Sequence, residues 1–209
     1  MGLRASLNTL LNEIFPRFCL HCGEKTRRVL CDACIEHLVL APPPTKGAFE
    51  YFGPAKTIVK EFRAGNLPHL APAMAGYMAL QMEELQWPRP DMIVPVPERW
   101  IRFFSRSYHP AGILAQELGR IWNIPVGHLL KRRIGGFSQS KLSFEERKKL
   151  PFHTFQWKER PDISGKIILL VDDLAVTGAT LRQCMRRLRE GRPAYIFCLA
   201  FCARHFDQK

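Results

Sequence analysis

Two adjacent carboxylates, Asp172 and Asp173, follow the apolar run Ile168-Leu169-Leu170-Val171 and precede a small, hydroxyl-bearing stretch, Leu174-Ala175-Val176-Thr177-Gly178-Ala179-Thr180. The acids can accept hydrogen bonds from two neighbouring hydroxyls of a ribose. Thr177 and Thr180 add hydroxyls, and Gly178 lets a phosphate approach the backbone. Such chemistry requires the acids and the turn to sit at one edge of a rigid scaffold, and the flanking sequence provides one. The run is short, apolar and preceded by Ser164-Gly165-Lys166, which reads as a turn feeding a strand buried on both faces. After Thr180 the residues Leu181, Cys184, Met185 and Leu188 recur at helical spacing. Arg182, Arg186, Arg187 and Arg189 take the other face, and Gly191 with Pro193 ends the helix. In a strand-loop-helix unit the loop lies at the carboxyl edge of the sheet, and the helix N-terminus offers unpaired N–H groups to an anion.

Two other readings compete for this segment. An Ile-Leu-Leu-Val-Asp-Asp run also opens the receiver domains of response regulators, but these need about a hundred further residues. Only 36 residues follow Asp173 here. A plain capped turn without a ligand does not call for an adjacent acid pair.

Four cysteines form a second constellation: Cys19-x-x-Cys22-Gly23, then Cys31-x-x-Cys34. Each two-residue gap turns the backbone enough to aim both sulfurs at one ion, which suits a tetrahedral structural Zn²⁺ with four thiolate ligands. His21 and His37 are the substitutes if one thiol is not a ligand. A disulfide framework would require an export signal, and a redox Cys-x-x-Cys would explain one pair rather than two. Cys184, Cys198 and Cys202 lie in apolar contexts and read as core.

The 209 residues suit one medium α/β domain plus a small appendage, and 46% hydrophobic residues are ample for a packed core. The excess of 31 Lys+Arg over 19 Asp+Glu, a net +12, favours phosphate-bearing partners: a phosphorylated sugar, nucleic acid or both. No stretch approaches the ~18 apolar residues of a membrane span. Leu3, Leu7, Leu10, Leu11, Ile14 and Phe15 make an amphipathic helix rather than a signal peptide. The six-residue match of Met1-Gly2-Leu3-Arg4-Ala5-Ser6 to a myristoylation pattern is treated as chance. The chain therefore reads as cytoplasmic, with no membrane insertion. Ala41-Pro42-Pro43-Pro44 marks a stiff linker. It divides an N-terminal helix and zinc module at residues 1–40 from a main domain at 45–209.

Along the main domain, Glu50 to Gly53 reads as a short strand and Pro54 opens a helix with Ile58, Val59 and Phe62 on one face. A longer helix runs from Pro68 or Pro72 to Leu85. Asp91 to Arg99 is a buried strand that ends near Val94, because Pro95 and Pro97 cannot sit in a central ladder. Pro110 opens a helix with Ile113, Leu114, Glu117, Leu118 and Ile121 in register. Ile124 to Leu130 reads as another strand. The alternation predicts an α/β fold: a mostly parallel sheet flanked by helices. Its ligand edge would collect Arg99, Arg102 and Arg106, whose planar forks suit a pyrophosphate, the alternative being that this tract is a solvated basic helix face. The basic tract Lys131 to Lys149 holds Gly135-Gly136. It could close over a charged substrate or track a nucleic-acid backbone, with Phe137 and Phe144 available for base stacking.

The acid-pair segment resembles the 5-phosphoribosyl 1-pyrophosphate (PRPP) motif of type I phosphoribosyltransferases. The wider pattern resembles ComF-type proteins, a competence family that includes the GntX group. It is carried by the cysteine module at 19–34, Pro95-Val96-Pro97, Arg106 and Tyr108 before a helix, Arg133, Gln139, Leu142 and Arg147, and the acid pair. The sequence departs from the PRPP motif at Val176, where many phosphoribosyltransferases carry Thr, and from the ComF pattern in Arg106-Ser107-Tyr108-His109-Pro110, where the family has Arg-Gly-Tyr/Phe-Asn-Gln, and at Leu150, where Asn is common.

The resemblance implies that Asp172 and Asp173 contact the ribose hydroxyls while Val176, Thr177, Gly178, Ala179 and Thr180 wrap the 5′-phosphate, with Ala175 opening that loop. Val96, Pro97, Glu98 and Arg99 would form the pyrophosphate loop with Mg²⁺, and transfer would go to an acceptor the sequence does not identify. No residue is an evident general base, so no catalytic residue is assigned. The alternative is a non-catalytic accessory factor that binds single-stranded DNA beside a competence helicase and keeps the PRPP pocket.

Overall fold

The apolar run that carries the acids becomes an inner strand of a four-stranded parallel sheet. The computed structural model describes residues 18–41, 47–98, 108–132 and 154–204. Its main strands are β1 (Gly47–Glu50), β2 (Met92–Pro95), β5 (Ile167–Ala175) and β6 (Tyr195–Ala203), in the order β1-β6-β5-β2. A separate antiparallel pair joins β3 (Leu130–Arg132) to β4 (Phe155–Trp157). The helices are α1 (Asp32–Glu36), α2 (Gly53–Arg63), α3 (Ala71–Glu84), preceded by a 3₁₀ turn at Pro68–Leu70, α4 (Pro110–Trp122) and α5 (Ala179–Arg189).

Side chains alternate across β5 and so divide the core into two layers. Leu169 and Val171 pack with Ile58, Val59 and Phe62 of α2, Met74 and Met78 of α3, and Leu114 and Leu118 of α4. Ile168 and Leu170 pack with Leu181, Cys184 and Leu188 of α5 and with Leu129, Leu130 and Phe155. Ile168, Leu169, Leu170 and Val171 are all fully buried, and each such side chain contributes about 2 kcal/mol. A strand covered on both faces explains why the run is continuously apolar instead of alternating.

The cysteine module packs onto the same core. Cys19, Leu30 and Cys34 belong to the layer formed by α2, α3 and α4, and His21 Nδ1 lies 2.8 Å from Thr57 Oγ1 on α2. Residues 39–41 then run antiparallel to β1: Ala41 N–H donates to Ala48 O at 3.1 Å and Glu50 N–H to Val39 O at 2.8 Å.

Several sequence expectations are corrected. The first strand occupies Gly47–Glu50, not Glu50 to Gly53, and Gly53 already belongs to α2. Ile124 to Leu130 is not a strand. It makes one parallel bridge, Ile93 with Val126, and only Leu130–Arg132 is extended, in the separate pair. Pro125 has no N–H to donate on one side of this bridge and Pro95 has none on the other, so pairing beside β2 is limited to Ile93 N–H with Pro125 O and Gly127 N–H with Ile93 O. β5 does not end at its apolar run but continues through the acids to Ala175, where it pairs with Ala203. β6, a nearly continuous apolar segment of 9 residues, was not expected from the sequence. Helices α2, α3, α4 and α5 start and stop within a few residues of the expected positions. The N-terminal helix, Pro42 to Pro44, Arg99, Arg102, Arg106 and the tract beyond Arg132 up to Lys149 lie outside the described residues.

Candidate functional site

The acids sit near the carboxyl end of β5, where alternation sends them to opposite faces of the sheet. Asp173 shares the face of Leu169 and Val171 and meets the last turn of α2, with Arg63 Nε 2.9 Å from its Oδ2. Asp172 shares the face of Ile168 and Leu170, toward α5. It is half-buried, and its Oδ1 accepts the backbone N–H of Asp173 at 2.9 Å. Burial pushes the Asp172 carboxyl well above the usual carboxylate range, and the adjacent Asp173 charge pushes it further. Arg63 acts in the opposite sense on the same group.

The turn after β5 delivers the phosphate-cradle candidates to solvent. Ala175 is buried and anchors the loop, its carbonyl accepting Arg204 N–H at 2.9 Å. Val176 and Thr177 are exposed, and Gly178, Ala179 and Thr180 are half-buried at the start of α5. Gly178 is the N-cap at φ +65°, a conformation that side-chain-bearing residues rarely adopt. Thr177 Oγ1 accepts Ala179 N–H at 3.3 Å, so this hydroxyl shapes the turn. The Arg182 guanidinium folds back over the same turn, 3.3 Å from the position a Cβ on Gly178 would take. A helix N-terminus with a guanidinium beside it is a positive site for an anion.

The expected pyrophosphate loop lies one strand away, since β2 pairs with β5 from Met92↔Ile168 to Pro95↔Val171. Val96 anchors this loop with both of its backbone groups. Its N–H donates to Val171 O at 2.8 Å, and its carbonyl lies 2.9 Å from His109 Nε2. Pro97 and Glu98 are half-buried beyond it. Tyr108, adjacent to His109, donates its hydroxyl to Phe62 O on α2. Among the described residues, the loop after β2 and the end of α2 are thus strapped together beside Asp173.

Sequence reasoning missed Arg63 as a site residue and read Arg182 only as part of a basic helix face. Nothing local marks either. Arg63 follows the apolar face of α2 as an ordinary last-turn cation, and its partner lies four strands later in the chain. Arg187, read as part of the same basic face as Arg182, is instead structural: it pairs with Glu190 at 2.7 Å and donates to Phe155 O at 3.0 Å.

The sulfurs of Cys19, Cys22, Cys31 and Cys34 all lie within 4.8 Å of one another, with Cys22 and Cys31 3.6 Å apart. Ligands of a tetrahedral zinc are roughly 3.8 Å apart for a Zn–S bond of about 2.3 Å, so the four fit one Zn²⁺. Burial would raise the Cys19 thiol, yet the backbone N–H groups of Cys22, Cys31 and His21 bring it down to about 6. Burial and the neighbouring sulfurs push Cys34 up. Four crowded thiols cannot all ionise without a cation, which a metal supplies. Neither histidine joins the cluster, since His37 Nδ1 lies 2.6 Å from Ala33 O and His21 faces Thr57. Among the described residues no helix is long and apolar enough to cross a membrane.

A parallel sheet, an acid pair at its carboxyl end and a glycine-capped helix N-terminus beside them are the frame expected of an α/β protein of the phosphoribosyltransferase class. Residues 73–209 match the phosphoribosyl transferase domain, and the chain belongs to that family. It is similar to competence protein F of Haemophilus influenzae, with 26% identity over 186 residues that cover 84% of this chain and 80% of the relative. Together with the four-cysteine cluster, these matches bear out the ComF-type resemblance. Among solved structures it is similar to glutamine PRPP amidotransferase from B. subtilis, with 22% identity, 61% of this chain covered and a TM-score of 0.41. It spans 25% of the length of that enzyme. It is also similar to a purine phosphoribosyltransferase from Pyrococcus horikoshii, with 18% identity, 59% of this chain and 65% of that chain covered, and a TM-score of 0.36.

Proposed function

We propose that the chain binds PRPP at the carboxyl end of β5 and transfers its phosphoribosyl group to an acceptor, acting in competence, as the name of the Haemophilus relative suggests, and through it in DNA uptake. The observation that carries the reading is the juxtaposition of Asp172 and Asp173 with the Gly178 turn at the start of α5. A ribose lying across the end of β5 would meet one carboxylate from each side of the strand. Its 5′-phosphate would lie on the backbone of Val176 to Thr180, with Arg182 alongside. The loop entered through Val96 and Pro97, with Glu98 and Arg99, would face the pyrophosphate. Transfer breaks the bond from the anomeric carbon to pyrophosphate and forms one to the acceptor, so holding both charged ends apart is the main task of the protein. Half-buried Asp172 fits a role near a cation, and Mg²⁺ bound with PRPP would offset the charge on the departing pyrophosphate.

Calorimetric titration of the full chain with PRPP and Mg²⁺ tests the reading, and no heat of binding at millimolar PRPP would remove it. A second reading, single-stranded DNA binding, is favoured by the exposed row Arg182, Arg186 and Arg189 on α5 and by the net charge of +12. It requires an affinity that falls steeply with salt, and absence of binding at low salt would rule it out.

A further inference from the structure

Asp173 combines two features that ordinary ion pairing does not explain together. Its Oδ2 lies 2.9 Å from Arg63 Nε, with side-chain exposures of 22% for the arginine and 9% for the acid. That same Oδ2 is buried and receives no hydrogen bond. A buried carboxylate oxygen ordinarily has a donor. The guanidinium therefore fixes the position and balances the charge of the carboxylate, against which the Asp172 carboxyl also rests. The arginine is itself held in place: Phe62 is fully buried, its ring packs 5.4 Å from that of Tyr108, and its carbonyl accepts the Tyr108 hydroxyl. On the other side of α2, Thr57 meets His21 of the cysteine module.

We propose that Arg63 is a positioning residue of the ribose site, holding Asp173 as the acceptor for one ribose hydroxyl and so setting a preference for ribose phosphates over the matching deoxyribose phosphate. Arg63 precedes residue 73, where the matched family domain begins. The segment between the cysteine module and that domain thus supplies part of the site. The guanidinium also offsets a carboxylate beside an anion cradle, where an unbalanced charge would repel the phosphate. The inference rests on the PRPP reading of the site.

The test compares ribose 5-phosphate with 2-deoxyribose 5-phosphate and 3-deoxyribose 5-phosphate, titrated into the full wild-type chain and into Arg63→Gln and Arg63→Lys, with thermal unfolding of each. The wild type should reject both deoxy sugars, by about tenfold or more for each lost hydrogen bond to a carboxylate. Arg63→Gln should lose the rejection of one deoxy sugar and keep that of the other, and Arg63→Lys should restore much of it. The inference is overturned if Arg63→Gln keeps both preferences, if it weakens all three sugars equally, or if a folded Arg63→Lys is as indifferent as the glutamine variant. A wild-type chain that binds none of the three sugars and no PRPP removes the PRPP reading itself, and the inference with it.

Discussion

His109 Nε2 meets the carbonyl of Val96 at 2.9 Å, joining the start of α4 to the loop that leaves β2. A carbonyl only accepts, so Nε2 carries the hydrogen. Burial holds the imidazole below its ordinary value of 6.5, which keeps it neutral at neutral pH. The ring has room because residue 112 is glycine, where a Cβ would lie 2.6 Å from His109 Nδ1. Gly112→Ala should displace the imidazole, lower the unfolding midpoint by ~2–4 °C per kcal/mol lost, and weaken PRPP binding. A variant unchanged in both measurements would show that the strap is dispensable.

The same histidine predicts an acid-side loss of stability. The unfolded chain takes up a proton near 6.5 while the folded chain resists it, so stability is retained above that value and lost as pH falls toward the depressed folded value. His128, whose ring centroid lies 6.4 Å away, is shifted down for the same first cause, burial. Denaturant unfolding from neutral to acidic pH should therefore show a decline that His109→Asn reduces and that His128→Asn reduces further. Identical slopes in the wild type and both variants would exclude this origin.

Asp172 should make ligand binding pH-dependent as well, with affinity lost on acidification. Its carboxyl holds its proton above the usual range because it is buried beside Asp173. If the carboxylate form accepts a ribose hydroxyl, PRPP affinity rises as pH rises through that elevated value. Asp172→Asn should flatten the profile and cost about 10- to 100-fold in affinity at neutral pH. The raised value also means that ionising Asp172 costs folding free energy, so Asp172→Asn should be more stable than the wild type at neutral pH and not in acid. Equal stability of the two proteins at neutral pH would contradict the assignment.

The four-cysteine cluster predicts one Zn²⁺ per chain, measurable by elemental analysis. Cys34 is buried in the layer that holds α2, α3 and α4, so Cys34→Ser should lose the metal and destabilise the whole domain. The expected loss is about 3 kcal/mol, or ~6–12 °C in unfolding midpoint. A serine variant that retains zinc and its unfolding midpoint would contradict the ligand set.

What was legible in the sequence was local. The acids, their turn and α5 are contiguous, so strand burial, the glycine turn and helical spacing all pointed to one unit. The cysteine spacing likewise carried its own geometry. Contacts distant in sequence were not legible, and the Arg63–Asp173 pair exists only because the topology brings the end of α2 to the end of β5. Apolar spacing at Ile124, Val126, Leu129 and Leu130 suggested a strand, but Pro125 on one side and Pro95 of β2 on the other limit its pairing to one bridge. β6 had a clear apolar signal in Tyr195 to Ala203, which the sequence reading passed over in treating Cys198 and Cys202 only as core thiols. The extension of β5 through two acids was hidden as well, because it depends on β6 running alongside as far as Ala203.

Calorimetry of PRPP with Mg²⁺ on the wild type and on Asp172→Ala/Asp173→Ala tests the central claim most directly. Saturable binding of one PRPP per chain, lost in a double variant that still unfolds cooperatively, is the predicted result. No binding to the wild type at millimolar PRPP, or undiminished binding to the double variant, would contradict it.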